Sequence, residues 1–91
     1  NHENIGYTLS QNYPNPFNPV TSIKYEIPQN GFVTLKIFNV LGMEISTLVN
    51  QTKRQGTHEV TWNASDFPSG VYFYELSSGE FKQRKKMMLI K

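Results

Sequence analysis

From residue 21 onward the chain alternates apolar and polar side chains, and this beat of two constrains its fold more than any other feature. In residues 21–27, Ile23, Tyr25 and Ile27 fall on one face and Ser22, Lys24 and Glu26 on the other. In residues 32–39, Val33, Leu35 and Ile37 oppose Thr34 and Lys36. Successive side chains of a strand point to opposite faces, so a period of two marks a half-buried strand. No stretch carries a 3.6-residue period; the nearest, residues 43–49, is short and follows Gly42. Further strands are expected at 43–49, 57–62, 71–77 and 81–91. Between them lie turn formers: Pro28-Gln-Asn-Gly31, Val40-Leu-Gly42, the loop 63–70 with Pro68 and Gly70, and Ser78-Gly-Glu80. Six or seven short strands at fairly even spacing predict an all-β, Ig-like antiparallel β-sandwich of about seven strands.

A chain of 91 residues has room for one small domain. Its 37% hydrophobic and 13% aromatic content suffices for a thin core and is too high for a disordered tail. The absence of cysteine excludes disulfides, thiolate catalysis and Cys-ligated zinc. No apolar run approaches the ~20 residues of a membrane span, so no stable membrane insertion is expected. The opening Asn-His-Glu-Asn has neither signal-peptide character nor an initiator Met, so the chain is expected to be the C-terminal module of a longer precursor. Residues 1–11 are mixed and polar and read as a tether from the parent protein. In Asn12-Tyr-Pro-Asn-Pro-Phe-Asn-Pro19 three prolines fix φ and bias their predecessors towards extended geometry. That rigid segment sets the boundary of a domain spanning 12–91.

Little in the chain looks catalytic. His2 lies in the tether, and His58 shares parity with Val60 and Trp62, as a hydrogen-bonded core or half-buried histidine would. No His-x-x-x-His, cysteine ligand or acidic cluster accompanies it, and the seven acids are scattered on outward parities. There is no phosphate-cradling glycine loop. No catalytic, cofactor-binding or metal-binding residue is therefore expected, and no enzyme activity. Asn50-Gln-Thr52 and Asn63-Ala-Ser65 fit the glycosylation pattern, but both are read as strand ends where Asn and Thr serve turns. Tyr72 and Tyr74 share one parity with Phe73 opposite. An exposed ring there could form a sugar-binding platform, whereas a strand covered on both faces could not.

The charge is concentrated at the C-terminus. Residues 1–80 carry −3, and Phe81-Lys-Gln-Arg-Lys-Lys-Met-Met-Leu-Ile-Lys91 carries +5, with no acid. On an extended strand Lys82, Arg84 and Lys86 share one face with Met88 and Ile90. Phe81, Gln83, Lys85, Met87 and Leu89 share the other. Nucleic-acid binding needs a broader basic surface interleaved with stacking groups, and is not expected. Two readings of the tail stand: an edge strand whose lysines discourage aggregation, or an edge that another protein reads by strand addition.

Taken in order, several segments resemble one family. Leu9-Ser-Gln-Asn-Tyr-Pro-Asn-Pro-Phe-Asn-Pro-Val-Thr-Ser-Ile23 is similar to the opening signature of type A C-terminal sorting domains of the type IX (Por) secretion system. Phe38-Asn-Val-Leu-Gly42, Thr47-Leu-Val49, Gly56-Thr-His-Glu-Val-Thr-Trp62, Ser69-Gly-Val-Tyr-Phe-Tyr74 and Lys85-Lys-Met-Met-Leu-Ile-Lys91 follow in the family's order. The resemblance covers residues 9–91, and the order and spacing make it specific. It departs at Phe38-Asn39, where members often carry Tyr-Asp.

The resemblance implies an Ig-like fold, similar also to the Ig-like domain of the flagellar hook-capping protein. It implies a C-terminal signal that carries a fused N-terminal cargo from the periplasm across the outer membrane to the cell surface or medium in Bacteroidota. The implied partners are the type IX translocon and a sortase-type cysteine peptidase, which in many such systems cleaves the domain and attaches cargo to anionic lipopolysaccharide. The family's recognition motif falls on Lys86, Met87, Leu89 and Lys91, and its recurrent turns on Leu41-Gly42 and Ser69-Gly70. The alternatives are a non-catalytic accessory sandwich that binds carbohydrate on a secreted enzyme, and a structural spacer.

Overall fold

The computed structural model describes residues 6–91; His2 and the first five residues of the expected tether lie outside the described residues. Seven strands run in chain order: β1 (Thr8–Leu9), β2 (Val20–Ile27), β3 (Gly31–Phe38), β4 (Glu44–Lys53), β5 (Gly56–Asn63), β6 (Gly70–Ser78) and β7 (Phe81–Leu89). They form two antiparallel sheets, ordered β1-β2-β5 and β4-β3-β6-β7. The fold is an Ig-like β-sandwich, and the alternation in the sequence is its cause. Ile23, Tyr25 and Ile27 of β2 and Val33, Leu35 and Ile37 of β3 are all buried between the sheets. From β6 and β7, Tyr72, Tyr74, Leu76, Phe81, Met87 and Leu89 join the same core. Trp62 anchors one end of it, with its ring centroid 5.8 Å from Phe17, 5.5 Å from Phe67 and 5.6 Å from Tyr72.

Two strands differ from the sequence expectation. β4 runs four residues beyond Val49, so Asn50-Gln-Thr52 lies inside a strand rather than at its end. The ladder to β3 shifts register between Leu35 and Lys36 and again between Ile37 and Phe38. Each shift breaks the alternation on the edge strand, while backbone pairing continues through polar residues regardless. The second difference lies within residues 8–11. Thr8 and Leu9 pair with Glu26 and Tyr25, and Leu9 is buried. A two-residue strand is too short to show a period.

The proline segment straps the sandwich together. Its three X–Pro bonds, at Pro14, Pro16 and Pro19, are cis. Tyr13 exchanges both backbone hydrogen bonds with Ser22 of β2, each 2.9 Å. Phe17 bridges to Leu89 of β7 in the other sheet, and its side chain is 2% exposed. Between them Asn12 is buried and fully engaged. Its amide donates to the Pro14 carbonyl at 3.1 Å and to Thr21 Oγ1 at 3.0 Å, and its Oδ1 accepts from Gln11 at 2.7 Å. The Tyr74 hydroxyl, on β6, donates to the Ser10 carbonyl at 2.7 Å and accepts from the Asn12 N–H at 2.8 Å.

Burial pushes the Tyr74 phenol up to about 12, opposed by the Asn12 hydrogen bond, and burial also raises Tyr25 and Tyr72. A raised phenol pKa means that the folded state holds its proton longer than the unfolded chain. Its contribution to stability is therefore complete below about pH 10 and is lost as pH rises towards 12. Stability should fall over that window in alkaline urea titrations. Tyr74→Phe should reduce the slope while lowering stability at neutral pH by about 1–3 kcal/mol, the cost of leaving buried partners unpaired. Phe17→Ala should cost about 3–5 kcal/mol, and an unchanged thermal midpoint would show that the strap is not anchored there.

Candidate recognition end

The motifs carried by the sequence lie far apart along the chain and meet at one end of the sandwich. The β3–β4 turn is held by Asn39, whose Oδ1 accepts the N–H of Leu41 at 2.9 Å and of Met43 at 3.0 Å. Its carbonyl also accepts the Gly42 N–H at 2.9 Å. An acceptor is all the turn asks of this position, and the Asn39 side chain supplies it. Gly42 takes φ +83°, a left-handed conformation that L side chains rarely adopt. Leu41 is thereby pushed outwards and is 78% exposed.

Facing this turn is the segment that enters β6. The Tyr72 hydroxyl donates to the Pro68 carbonyl at 2.6 Å and ties the loop down. Ser69 Oγ accepts the Lys91 N–H at 3.0 Å, and Lys91 Nζ donates to the Ser65 carbonyl at 2.6 Å. Lys91 is thus fastened to the Ser69-Gly70 turn. Between the two turns lies a hollow of about 250 Å³, whose lining includes Leu41, Ser69, Gly70 and Val71. The structure brings Leu41, Ser69, Gly70 and Lys91 into one neighbourhood.

The four residues of the expected recognition motif divide between inside and outside. Met87 and Leu89 are each 1% exposed and belong to the core. Lys86 projects from the outer face of the β4-β3-β6-β7 sheet, opposite Phe73, and Lys91 lies beside Ser65 and Ser69. The outward face of β7 otherwise carries Lys82, Arg84 and Met88, as the parity predicts, and the exposed Ile90 follows the strand.

β7 is the outermost strand of its sheet, yet part of its edge is occupied. The Lys86 carbonyl accepts from the Gln11 side chain at 2.8 Å, and Asn15 Oδ1 accepts the Met88 N–H at 3.0 Å. Phe17 N–H donates to the Met88 carbonyl at 3.0 Å, and Ile90 N–H donates to the Phe17 carbonyl at 2.9 Å. The apolar half of the edge is therefore closed by the strap. Among the described residues, nothing covers the outward backbone groups of Lys82 and Arg84, the half guarded by charge.

Two ion pairs lie on the outer face. Lys36 is 3.5 Å from Glu44, whose carboxyl is held below the usual range by its hydrogen bond from Thr47 and by Lys36. Arg84 is 3.7 Å from Glu75, with its guanidinium 4.6 Å from the centre of the Phe38 ring. The exposed Lys36–Glu44 pair contributes little to stability. The remaining candidates are structural. His58 is half-buried, stacks on Tyr25 at 5.4 Å and donates to the Arg54 carbonyl at 2.8 Å. Asn63 Oδ1 caps its own turn by accepting the Ser65 N–H. Tyr72 and Tyr74 are buried and Phe73 is half-buried, so this strand presents no open aromatic platform. Among the described residues no group of three or more His, Asp or Glu could hold a metal. The signals that sequence reasoning missed are Gln11 and Asn15, whose edge-capping roles have no pattern of their own.

The structure is a small Ig-like sandwich with the Leu41-Gly42 and Ser69-Gly70 turns and Lys91 gathered at one end. The family described as secretion system C-terminal sorting domain matches residues 11–91, and the chain belongs to it. It is a sorting domain of the type IX (Por) secretion system and acts as a C-terminal export signal, serving passage to the cell surface or the extracellular space. Domains of this kind are generally non-catalytic. Among solved structures it is similar to PorZ of Porphyromonas gingivalis, described as an essential bacterial surface component of the type IX secretion system. The match has 23% identity and a TM-score of 0.62, and covers 98% of this chain and 12% of PorZ. That likeness concerns the fold. No curated protein matches.

The left-handed turn gives a direct check. Gly42→Val should lower stability by about 1–3 kcal/mol, although nothing lies within 4 Å of the added Cβ. Thermal denaturation measures it, and an unchanged midpoint would show that the turn tolerates a side chain.

Proposed function

We propose that the sandwich from β1 to Lys91 is a folded handle, joined through the residues before Thr8 to an N-terminal cargo, which the type IX translocon reads at the end where the motifs converge. In this reading Lys86 and Lys91 are the contacts. Met87 and Leu89 are anchors that hold the last strand in register, and the Leu41-Gly42 and Ser69-Gly70 turns frame the contact surface. The observation that carries it is the fastening of Lys91 to Ser65 and Ser69 across the hollow from Leu41. The cargo would pass through the periplasm before crossing the outer membrane. A sortase-type cysteine peptidase would then cut within the tether, freeing the cargo for attachment to anionic lipopolysaccharide or for release.

Removing residues 86–91 is a poor test, because it strips Met87 and Leu89 from the core and would unfold the handle. The whole chain fused behind a signal peptide and a fluorescent reporter is cleaner, in hosts with and without a working type IX translocon. Reporter should appear outside the cell only when the translocon works. Retention in both hosts, with the domain folded, would contradict the proposal.

A further inference from the structure

We propose that the partner is read through the outer face of the β4-β3-β6-β7 sheet rather than by strand addition along residues 86–90, and that it presents an apolar projection bordered by carboxylates. The inference deepens the export reading above and rests on it. Strand addition needs unpaired outward N–H and C=O groups, and between Lys86 and Ile90 the strap already holds four of them. Releasing the strap would unseat Phe17 from the core.

The side-chain face is open. In register across it, Val71 pairs with Met88 and Phe73 with Lys86, while Lys82 lies opposite Ser77. Leu41 and Val71 both line the hollow. Met88 is 41% exposed, and Val71 and Phe73 are half-buried. Together they make an apolar stripe that runs from the β3–β4 turn to the last strand. Such a contiguous stripe, exposed at Leu41 and Met88 and half-buried at Val71 and Phe73, marks an interaction site more than scattered single residues do.

Charge selects the occupant. Glu44 and Glu75 are each spent on a cation, whereas Lys82 and Lys86 have no acidic side chain within 4 Å among the described residues. Two cations with no acidic partner among the described residues, beside an apolar stripe, complement a protein surface that is acidic around an apolar centre. Such complementarity steers encounter and makes it salt-sensitive. Leu41, Val71, Phe73 and Met88 would bury against the centre, with Lys82 and Lys86 meeting the rim.

The test uses the full chain fused to the secreted reporter, in three forms: unaltered, Lys82→Glu with Lys86→Glu, and Leu41→Asp with Met88→Asp. All four altered positions are exposed, so thermal midpoints should stay near that of the unaltered domain. Each double variant should reduce extracellular reporter at least tenfold, with fusion accumulating inside the cell. Export equal to the unaltered fusion in both variants, with the fold intact, would overturn the face. Failure of the unaltered fusion itself would instead overturn the export reading. Sedimentation with phosphatidylglycerol vesicles provides the third arm. Binding abolished by the same substitutions would assign the face to an anionic lipid surface and overturn the protein partner.

Discussion

The Tyr74 hydroxyl is the contact on which the rest of the arrangement depends. It projects from the middle of β6 and both donates to Ser10 and accepts from Asn12. It thus ties the β4-β3-β6-β7 sheet to the segment that crosses over from the other sheet. A domain this small buries only a modest share of its surface, so each contact that ties one sheet to the other counts. Burial of a hydroxyl without partners would be costly, but here both of its hydrogen-bonding roles are used. The same holds for Asn12 and Thr21, and among the described residues no buried side-chain polar atom lacks a partner. A satisfied buried network of this sort specifies one arrangement over its neighbours.

From that closure the functional end follows. Once residues 10–12 are fixed, the prolines direct the chain along β7, where Asn15 and Phe17 take up its edge. β7 is then held on both sides, by β6 and by the strap, and its alternation sorts the C-terminal motif. Met87 and Leu89 face inwards and Lys86 outwards. Lys91 reaches the turn at Ser69 only because the strand before it is immobilised in this register. A recognition surface assembled from three distant segments thus inherits its precision from the packing beneath it. The two readings of the basic tail also become spatially distinct. Lysines guard the half of the edge that the strap leaves open, and the strap covers the half whose side chains are apolar.

Most of the sandwich was legible because period-two alternation is a direct record of burial. Ile23, Tyr25, Ile27, Val33, Leu35 and Ile37 all lie where parity puts them. The strand Thr8–Leu9 was not legible, since two residues cannot show a period, nor was the far end of β4, where Asn50-Gln-Thr-Lys53 is polar throughout and carries no alternation. For the recognition end, the turns at Gly42 and Gly70 and the outward lysines were readable from residue type and parity. The division of the motif into anchors and exposed groups was implicit in parity too, but its meaning depends on which face meets the core. The edge capping by Gln11 and Asn15 was invisible. These are side-chain contacts between positions more than 70 residues apart, and no local pattern encodes them.

The claim on which the account turns is that the strap closes the apolar half of the β7 edge. Amide hydrogen exchange on the isolated domain measures this residue by residue. The N–H groups of Met88 and Ile90, which donate to Asn15 and Phe17, should exchange slowly, as core amides do, while those of Lys82 and Arg84 on the same edge exchange rapidly. Equal, fast exchange at all four positions would show that the strap does not hold the edge and would contradict the account.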